Sequence, residues 1–345
     1  MIDSDRVVAV VIPSYRVKQR IMNVLERVGD EVAKVYVVDD KCPENSGRFV
    51  VNNCHDRRVT VLFHEVNQGV GGAVITGYKR AALDGAAVIV KVDGDGQMDP
   101  ALISNFVQPI LDGRADYTKG NRFYNIEDVR TMPFPRLIGN ALLSFMTKLS
   151  SGYWDIFDPT NGFTAISARL VPHLPLHKIS RRYFFESDLL FRIGTIRACV
   201  LDVPMTAVYG AEQSNMQILK ILPEFVYGNL KNLSKRLIYS YFLRDFSIAS
   251  LELIFGTLFL LFGTVFGAQA WIHSAANGVT TPTGIIMLAA LPVILGIQFL
   301  LSFIAFDFAA VPRRTIHPFL PVSPLRPNAD QRRIEGLSEG GSDRE

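Results

Sequence analysis

Cysteine is scarce in this chain, and a strong net charge of either sign is absent. The three cysteines, Cys42, Cys54 and Cys199, are odd in number, far apart and without metal-ligand spacing. That excludes a disulfide-stapled scaffold and a zinc cluster, and it suits a reducing compartment. The net charge of +3 argues against general nucleic-acid affinity. A secretory signal is also missing, because the apolar run 7–12 is too short and Pro13 follows it. The N-terminal part is therefore expected to stay in the cytosol. No internal repeat is present.

What the chain does have is apolar residues, 48% of the total, with most of the excess after residue 245. Residues 246–272 are long enough to span a bilayer with Glu252 as the sole charge, and 284–308 form a second span with Asp307 at its far end. The loop between them carries no Lys or Arg, whereas Arg244 precedes the first span and Arg313 and Arg314 follow the second. The positive-inside rule then puts both ends in the cytoplasm. Glu252 and Asp307 are expected to pair with Arg244 or Arg313, or to snorkel, in preference to marking a proton path. Before the spans, Val226, Leu230, Leu233, Leu237 and Tyr241 recur at helical spacing, with Lys220, Lys231, Lys235 and Arg236 nearby. This suits a helix on an anionic membrane surface, the alternative being a helix docked on the soluble domain. The stretch 312–345, rich in Pro, Gly, Ser and charge, is expected to be disordered.

Ahead of residue 212, apolar runs alternate with helical patterns. Strands are expected at 7–12, 35–38, 59–63, 88–92, 117–119, 164–167 and 198–203. Helices are expected at 17–28, 46–53, 69–83, 100–111, 136–149 and 184–193. The alternation predicts an α/β fold, a mainly parallel sheet with helices on both faces. Ligands of such sheets bind at the carboxyl ends of the strands. Pro13-Ser14, Asp39-Asp40 and Asp93-Gly-Asp95 all fall there.

The centre of that set is Asp93-Gly-Asp95-Gly-Gln97-Met-Asp99-Pro100. Two carboxylates one glycine apart at a strand end can face one hard cation, Mg²⁺ or Mn²⁺, with Gln97 adding a neutral oxygen and phosphate oxygens completing the shell. The alternative is a solvated turn. Asp99-Pro100 reads as an N-cap with proline at the first helical position. Gly69-Val-Gly71-Gly72 opens a helix and reads equally as a phosphate or ribose seat and as tight packing.

Six motifs occur in order: Val-Ile-Pro13-Ser-Tyr, Val-Val-Asp39-Asp40, Asn67-Gln-Gly-Val-Gly-Gly, Asp93-Gly-Asp95-Gly-Gln97-Met-Asp-Pro, Gly120-Asn-Arg122 and Asp158-Pro-Thr-Asn161-Gly-Phe. Together they resemble the family 2 glycosyltransferases of GT-A fold, in particular the polyprenyl-phosphate sugar synthases, over about residues 6–212. The resemblance implies a Rossmann-like GT-A domain (1–212); the hydropathy and charge pattern add juxtamembrane helices (213–245), a transmembrane hairpin (246–272 and 284–308) and an expected cytoplasmic tail (312–345). It implies a nucleotide-diphosphate sugar donor, UDP- or GDP-linked, and inversion at the anomeric carbon. Pro13, Ser14, Tyr15, Asp40 and Gly71 would bind the nucleotide sugar. Asp93 would meet its diphosphate or ribose and the metal, and Asp95 and Gln97 would hold the metal. Arg122, Arg136 and Asn140 would hold the phosphate of a polyprenyl acceptor, undecaprenyl or dolichyl.

A lipid phosphate is anionic at neutral pH and needs cations to position it, not a base. A sugar hydroxyl on a lipid-linked glycan needs a base, and Asp188 is the candidate, its alternative being a cap or salt bridge. A processive synthase is disfavoured, because neither Trp154 nor Trp271 stands in a Gln-x-x-Arg-Trp setting. A non-catalytic nucleotide-sugar-binding scaffold is the remaining alternative. The expected location is a membrane, the bacterial inner membrane, with the catalytic domain cytoplasmic; a homo-oligomer is compatible with this.

Overall fold

A computed structural model describes residues 7–124, 134–205 and 218–321, with the side chains of 134–137 and 218–221 outside the described set. Seven strands form one sheet: β1 Val8–Ser14, β2 Lys34–Asp39, β3 Val59–Phe63, β4 Val88–Lys91, β5 Tyr117–Asn121, β6 Thr164–Ser167 and β7 Val200–Pro204. Their order is β3-β2-β1-β4-β6-β5-β7. All pairs are parallel except those of β6, which runs antiparallel to both neighbours. β1, β2 and β4 are largely buried apolar runs covered on both faces, as parallel crossovers require, whereas β3 at the sheet edge is half-exposed.

Successive residues of each strand face opposite sides. Val11, Tyr36, Val38, Ile89 and Ile166 pack into one core layer, against helix α3 (Val70–Leu83) and helix α6 (Phe185–Thr195). Val10, Ile12, Val37, Val90 and Ala165 pack into the other, against α1 (Ile21–Glu26) and α4 (Ile103–Leu111). The remaining helices of the soluble part are α2 (Ser46–Asn53), α5 (Phe134–Ser151) and α7 (Ile218–Ile238). This is the expected GT-A arrangement. Helix α1 is shorter than the predicted 17–28: residues 18–20 form a turn, and the helix runs from Ile21 to Glu26.

Helix α7 docks on the domain by a polar stripe. Asn229, Asn232 and Arg236 are buried, whereas Leu230 and Ile238 are exposed. Asn229 accepts from Ser150 (2.6 Å), Asn232 donates to Asp188 (2.9 Å) and Arg236 donates to the Leu149 carbonyl (3.0 Å). The docking alternative therefore describes the inner face of this helix. Phe225 is buried on the same side against Phe184, and of the helix's apolar residues Tyr227, Leu230 and Ile238 are exposed.

Two helices, α8 (Ile248–Ala276) and α9 (Thr283–Ala309), are long and apolar enough to cross a membrane. They pack as a hairpin through small residues, the contact geometry favoured where lipid supplies no hydrophobic drive. A Cβ on Gly296 would lie 2.6 Å from the Leu260 nitrogen. The expected partners of the two spanning carboxylates are corrected here. Glu252 accepts from the Ser302 hydroxyl (2.6 Å), because both face the seam between the helices. Asp307 takes a two-pronged bond from Arg236 (2.6 and 2.9 Å), the Trp154 indole N–H (2.9 Å) and the Tyr241 hydroxyl. Helix α7 delivers Arg236 to that point, which spacing along the chain could not show.

The tail also departs from expectation over its first part. Val311 joins the core, and Thr315 donates to the Gly113 carbonyl (3.0 Å). Buried Asp116 accepts from the N–H groups of Cys199, Ile316 and His317. A buried carboxylate with these donors fixes the strap, whatever its composition. Residues 322–345 lie outside the described residues.

Candidate functional site

The six motifs meet at the carboxyl edge of the sheet. Asp39 ends β2 and folds the next loop under itself by accepting from the N–H of Cys42 (2.8 Å) and Gly47 (2.6 Å). Asp40 ties that edge to the Asn67-Gln-Gly motif, accepting from the N–H groups of Gln68 and Gly69 (both 2.7 Å) and bonding His64 (2.8 Å). Its two oxygens thus hold the walls of the site. Ser14 bonds Ser46 (2.9 Å) at the same level, and Tyr15 stands exposed beyond it. Pro13 lies within β1, opposite Val38 of β2. Arg16, Lys41 and Asn45 all take positive φ here. Three non-glycine residues in the left-handed region along one edge are a signature of a functional rim.

Gly71 and Gly72 direct their N–H groups to the Arg181 carbonyl (2.9 and 3.3 Å), and a Cβ on Gly71 would sit 2.6 Å from the Phe185 ring. The glycines of this turn accommodate the 180–185 loop, and their N–H groups are not offered to a phosphate.

Asp93 and Asp95 follow β4. Buried Lys91 joins this pair to helix α6: its Nζ lies 2.8 Å from Asp93 Oδ1, 3.2 Å from Glu186 Oε1 and 3.1 Å from the Gly162 carbonyl. Burial alone would lower the Lys91 pKa, but Asp93 and Glu186 outweigh it and hold the ammonium charged, above the usual lysine range. Burial, and then the neighbouring Asp93 charge, push the Asp95 carboxyl upward. A Cβ on Gly162 would crowd the side-chain ends of Asp93, Lys91 and Met98, so the Asp158–Phe163 loop closes tightly on the acidic pair. Gln97 is exposed, and its N–H donates to Asp95 Oδ1 (3.0 Å). Asp99 caps the following turn through the Ala101 N–H, with Pro100 at the first position, as its sequence predicts.

On the far side of β6, Arg122 forms a fork with buried Asp158, Nε to Oδ2 at 2.7 Å and Nη2 to Oδ1 at 3.1 Å. Gly120 abuts Asn161, so the Gly-Asn-Arg and Asp-Pro-Thr-Asn-Gly motifs form one wall. Asn140 lies on α5; the Arg136 side chain lies outside the described residues.

Asp188 is not brought to this edge. Two residues along a helix turn the side chain by about 200°, so Glu186 and Asp188 point opposite ways. Glu186 meets Lys91, whereas Asp188 accepts from the Ser180 N–H (2.8 Å) and Asn232 (2.9 Å), with Arg192 3.5 Å away. Lys91, Glu186 and Lys119 are the polar residues of the site that sequence reasoning missed. Lys91 and Lys119 both stand opposite Thr164 in the ladder. Lys91 had a signal, a lysine inside an otherwise apolar buried strand.

The donor set fits a hard divalent cation in its chemistry. Asp93 and Asp95 offer oxygen ligands; Lys91 pairs with Asp93 (2.8 Å), and Arg20 donates to the Asp95 carbonyl (3.2 Å). Among the described residues no three His, Cys, Asp or Glu side chains converge as a complete metal cage. Such a pair suits an ion that completes its shell with water and phosphate oxygens.

Residues 9–174 match the sequence profile of Glycosyl transferase family 2. The UDP-N-acetylglucosamine–dolichyl-phosphate N-acetylglucosaminyltransferase of Methanococcus voltae is 30% identical over 220 residues, 60% of this chain and 87% of that one. The polyprenol monophosphomannose synthase of Mycolicibacterium smegmatis is 27% identical over 202 residues, 57% of this chain and 76% of that one. Among solved structures, a mycobacterial protein superposes with a TM-score of 0.50 at 17% identity, over 66% of this chain and 75% of that one. This chain belongs to glycosyl transferase family 2, and it is a glycosyltransferase, as the six ordered motifs imply.

Proposed function

We propose that this chain transfers one sugar from a nucleotide-diphosphate sugar to a polyprenyl phosphate at a membrane, with inversion at the anomeric carbon. The observation that carries the reading is the pairing of two walls across β6. An acidic pair held by Lys91 stands on one side, and an arginine fixed by Asp158 stands on the other. The acidic side suits a cation on the departing diphosphate, and Arg122 suits the attacking phosphate. The names of the relatives and the hairpin support the same reading.

In this mechanism Pro13, Ser14, Tyr15 and the frame built on Asp40 seat the nucleotide. Asp93, Asp95 and Gln97 would hold Mg²⁺ or Mn²⁺, and that ion would supply Lewis-acid stabilisation of the charge on the departing diphosphate. Arg122, with Arg136 and Asn140, orients the acceptor phosphate for attack from the opposite face. That nucleophile is already anionic, so no side chain has to remove a proton. The engagement of both Asp188 oxygens within the frame favours this acceptor over a glycan hydroxyl, since a base must reach the proton it takes.

The test uses membranes holding the protein, labelled UDP- and GDP-sugars, a short polyprenyl phosphate and Mn²⁺ or Mg²⁺. Acid-labile label in the organic extract with one donor is expected. Asp95→Ala should lower it by roughly 100- to 1000-fold, the scale of losing an electrostatic stabiliser of a transition state. Full activity in that variant sinks the cation assignment. Label appearing only when a glycan acceptor is supplied sinks the phosphate acceptor.

A further inference from the structure

Where the hairpin joins the soluble domain, a cavity of about 360 Å³ opens beside Asp307. Its lining includes Arg197 and Arg244, the hydroxyl-bearing residues Ser240 and Ser247, and Phe306 and Ala309 from the end of α9. Arg236 also borders it, but its guanidinium is committed to Asp307 and the Leu149 carbonyl. Arg197 and Arg244 are differently placed. They share one carboxylate, Asp245, at 3.7 and 3.9 Å, and that carboxylate is 62% exposed. Their other contacts are neutral carbonyls, Ala310 at 3.5 Å and Thr195 at 2.8 Å. Two guanidinium groups against one loose carboxylate leave a surplus of one positive charge. Arg197 is also held at φ 57°, a conformation that costs energy for a residue with a Cβ.

The position of the cavity narrows what it can take. Asp245 and Ser247 immediately precede the first long apolar helix, and Ala309 ends the second. In a bilayer this is headgroup depth, where guanidinium groups meet lipid phosphates. A lining that joins basic and apolar residues matches a ligand whose phosphate continues into hydrocarbon. Nor is this the catalytic edge. Helix α6 has Glu186 in its first turn and ends at Thr195, beside the cavity, so about 14 Å of helix separates the two.

We propose that this cavity is a second lipid site, which seats the phosphate of an anionic phospholipid between Arg197 and Arg244 and fixes the catalytic domain against the bilayer. The inference rests on the reading of the hairpin as membrane-spanning. The shared chemistry is a phosphate ester, and a soluble phosphate is the rival source.

The experiment reconstitutes the full chain in nanodiscs of phosphatidylcholine with a minor share of phosphatidylglycerol, then counts the lipids retained on the protein after detergent exchange. The wild type should hold phosphatidylglycerol several-fold above its bulk share. The double variant Arg197→Asn/Arg244→Gln should return to the bulk ratio while keeping sugar transfer in phosphatidylcholine. Asparagine tolerates positive φ, so that substitution spares the backbone. Arg244→Lys, which keeps the charge, should retain most of the enrichment. A bulk ratio in the wild type overturns the proposal. So does displacement of the lipid by millimolar inorganic phosphate, which makes the site one for a soluble anion. Failure of the wild type to float with phosphatidylcholine vesicles overturns the spanning reading itself, and this site with it.

Discussion

Two buried ion networks in this molecule are built from similar parts and left in different states. At the sheet edge, Lys91 bridges Asp93 and Glu186, and these carboxylates keep 29% and 14% of their surface. At the hairpin junction, Arg236 and Asp307 keep 8% and 5%, with Trp154, Tyr241 and the Leu149 carbonyl taking the remaining bonds. The second network is closed: its charges are satisfied by the protein and its work is to hold. The first is open on one side, where Asp93 keeps part of its surface exposed. Burial of charge alone does not mark a site; burial with capacity to spare does.

The comparison can be broken at the junction first. Asp307→Ala leaves Arg236 buried without its partner, which should destabilise the protein by about 3–5 kcal/mol. Thermal melting in detergent checks this, and an unchanged midpoint would remove the holding role. The next test separates the two carboxylates of α6. Glu186→Gln should cost about tenfold or more in kcat, on the scale of a lost charged partner in the site, with little change in melting. Asp188→Asn should do the reverse, costing about 1–3 kcal/mol of stability while kcat stays near wild type. Exchanged outcomes would return the base to Asp188 and revive a hydroxyl acceptor.

The smallest effect concerns Asp202, which stands beside Lys119 in the ladder. Burial raises its carboxyl to about 6. The folded chain therefore holds this proton more tightly than the unfolded chain does. The residue costs stability above pH 6, and the cost fades as the pH falls from about 6 to about 4. Asp202→Asn should stabilise the chain at pH 7.5 by on the order of 1–2 kcal/mol, read as a higher melting temperature, and by less at pH 4.5. Equal shifts at both values would assign the effect to packing.

Much of the fold was legible because its signals are local. The β-branched runs of β1 to β4, the Asp99-Pro100 helix start and the two apolar helices each declare themselves within a few residues. The site was legible as a location, since strand ends carry ligands in parallel sheets, and as a set of motifs in order. Individual roles were less so. Gly71 serves the same turn whether its N–H meets a phosphate or the Arg181 carbonyl, and only the 180–185 loop decides. Helix α7 has an apolar stripe, yet it docks by asparagines, because the partners that satisfy them lie on other helices.

The sequence by itself determined which segments are strands, which are long apolar helices and which carboxylates end β4, because each depends on neighbours in the chain. The tertiary structure decided which carboxylate of α6 faces the site, which arginine closes on Asp307 and where residues 311–320 are tied. Those outcomes depend on pairs 70 to 200 residues apart, such as Arg236 with Asp307 and Ile316 with Asp116. Chain spacing carries no information about such pairs; the geometry of the folded sheet and helices does.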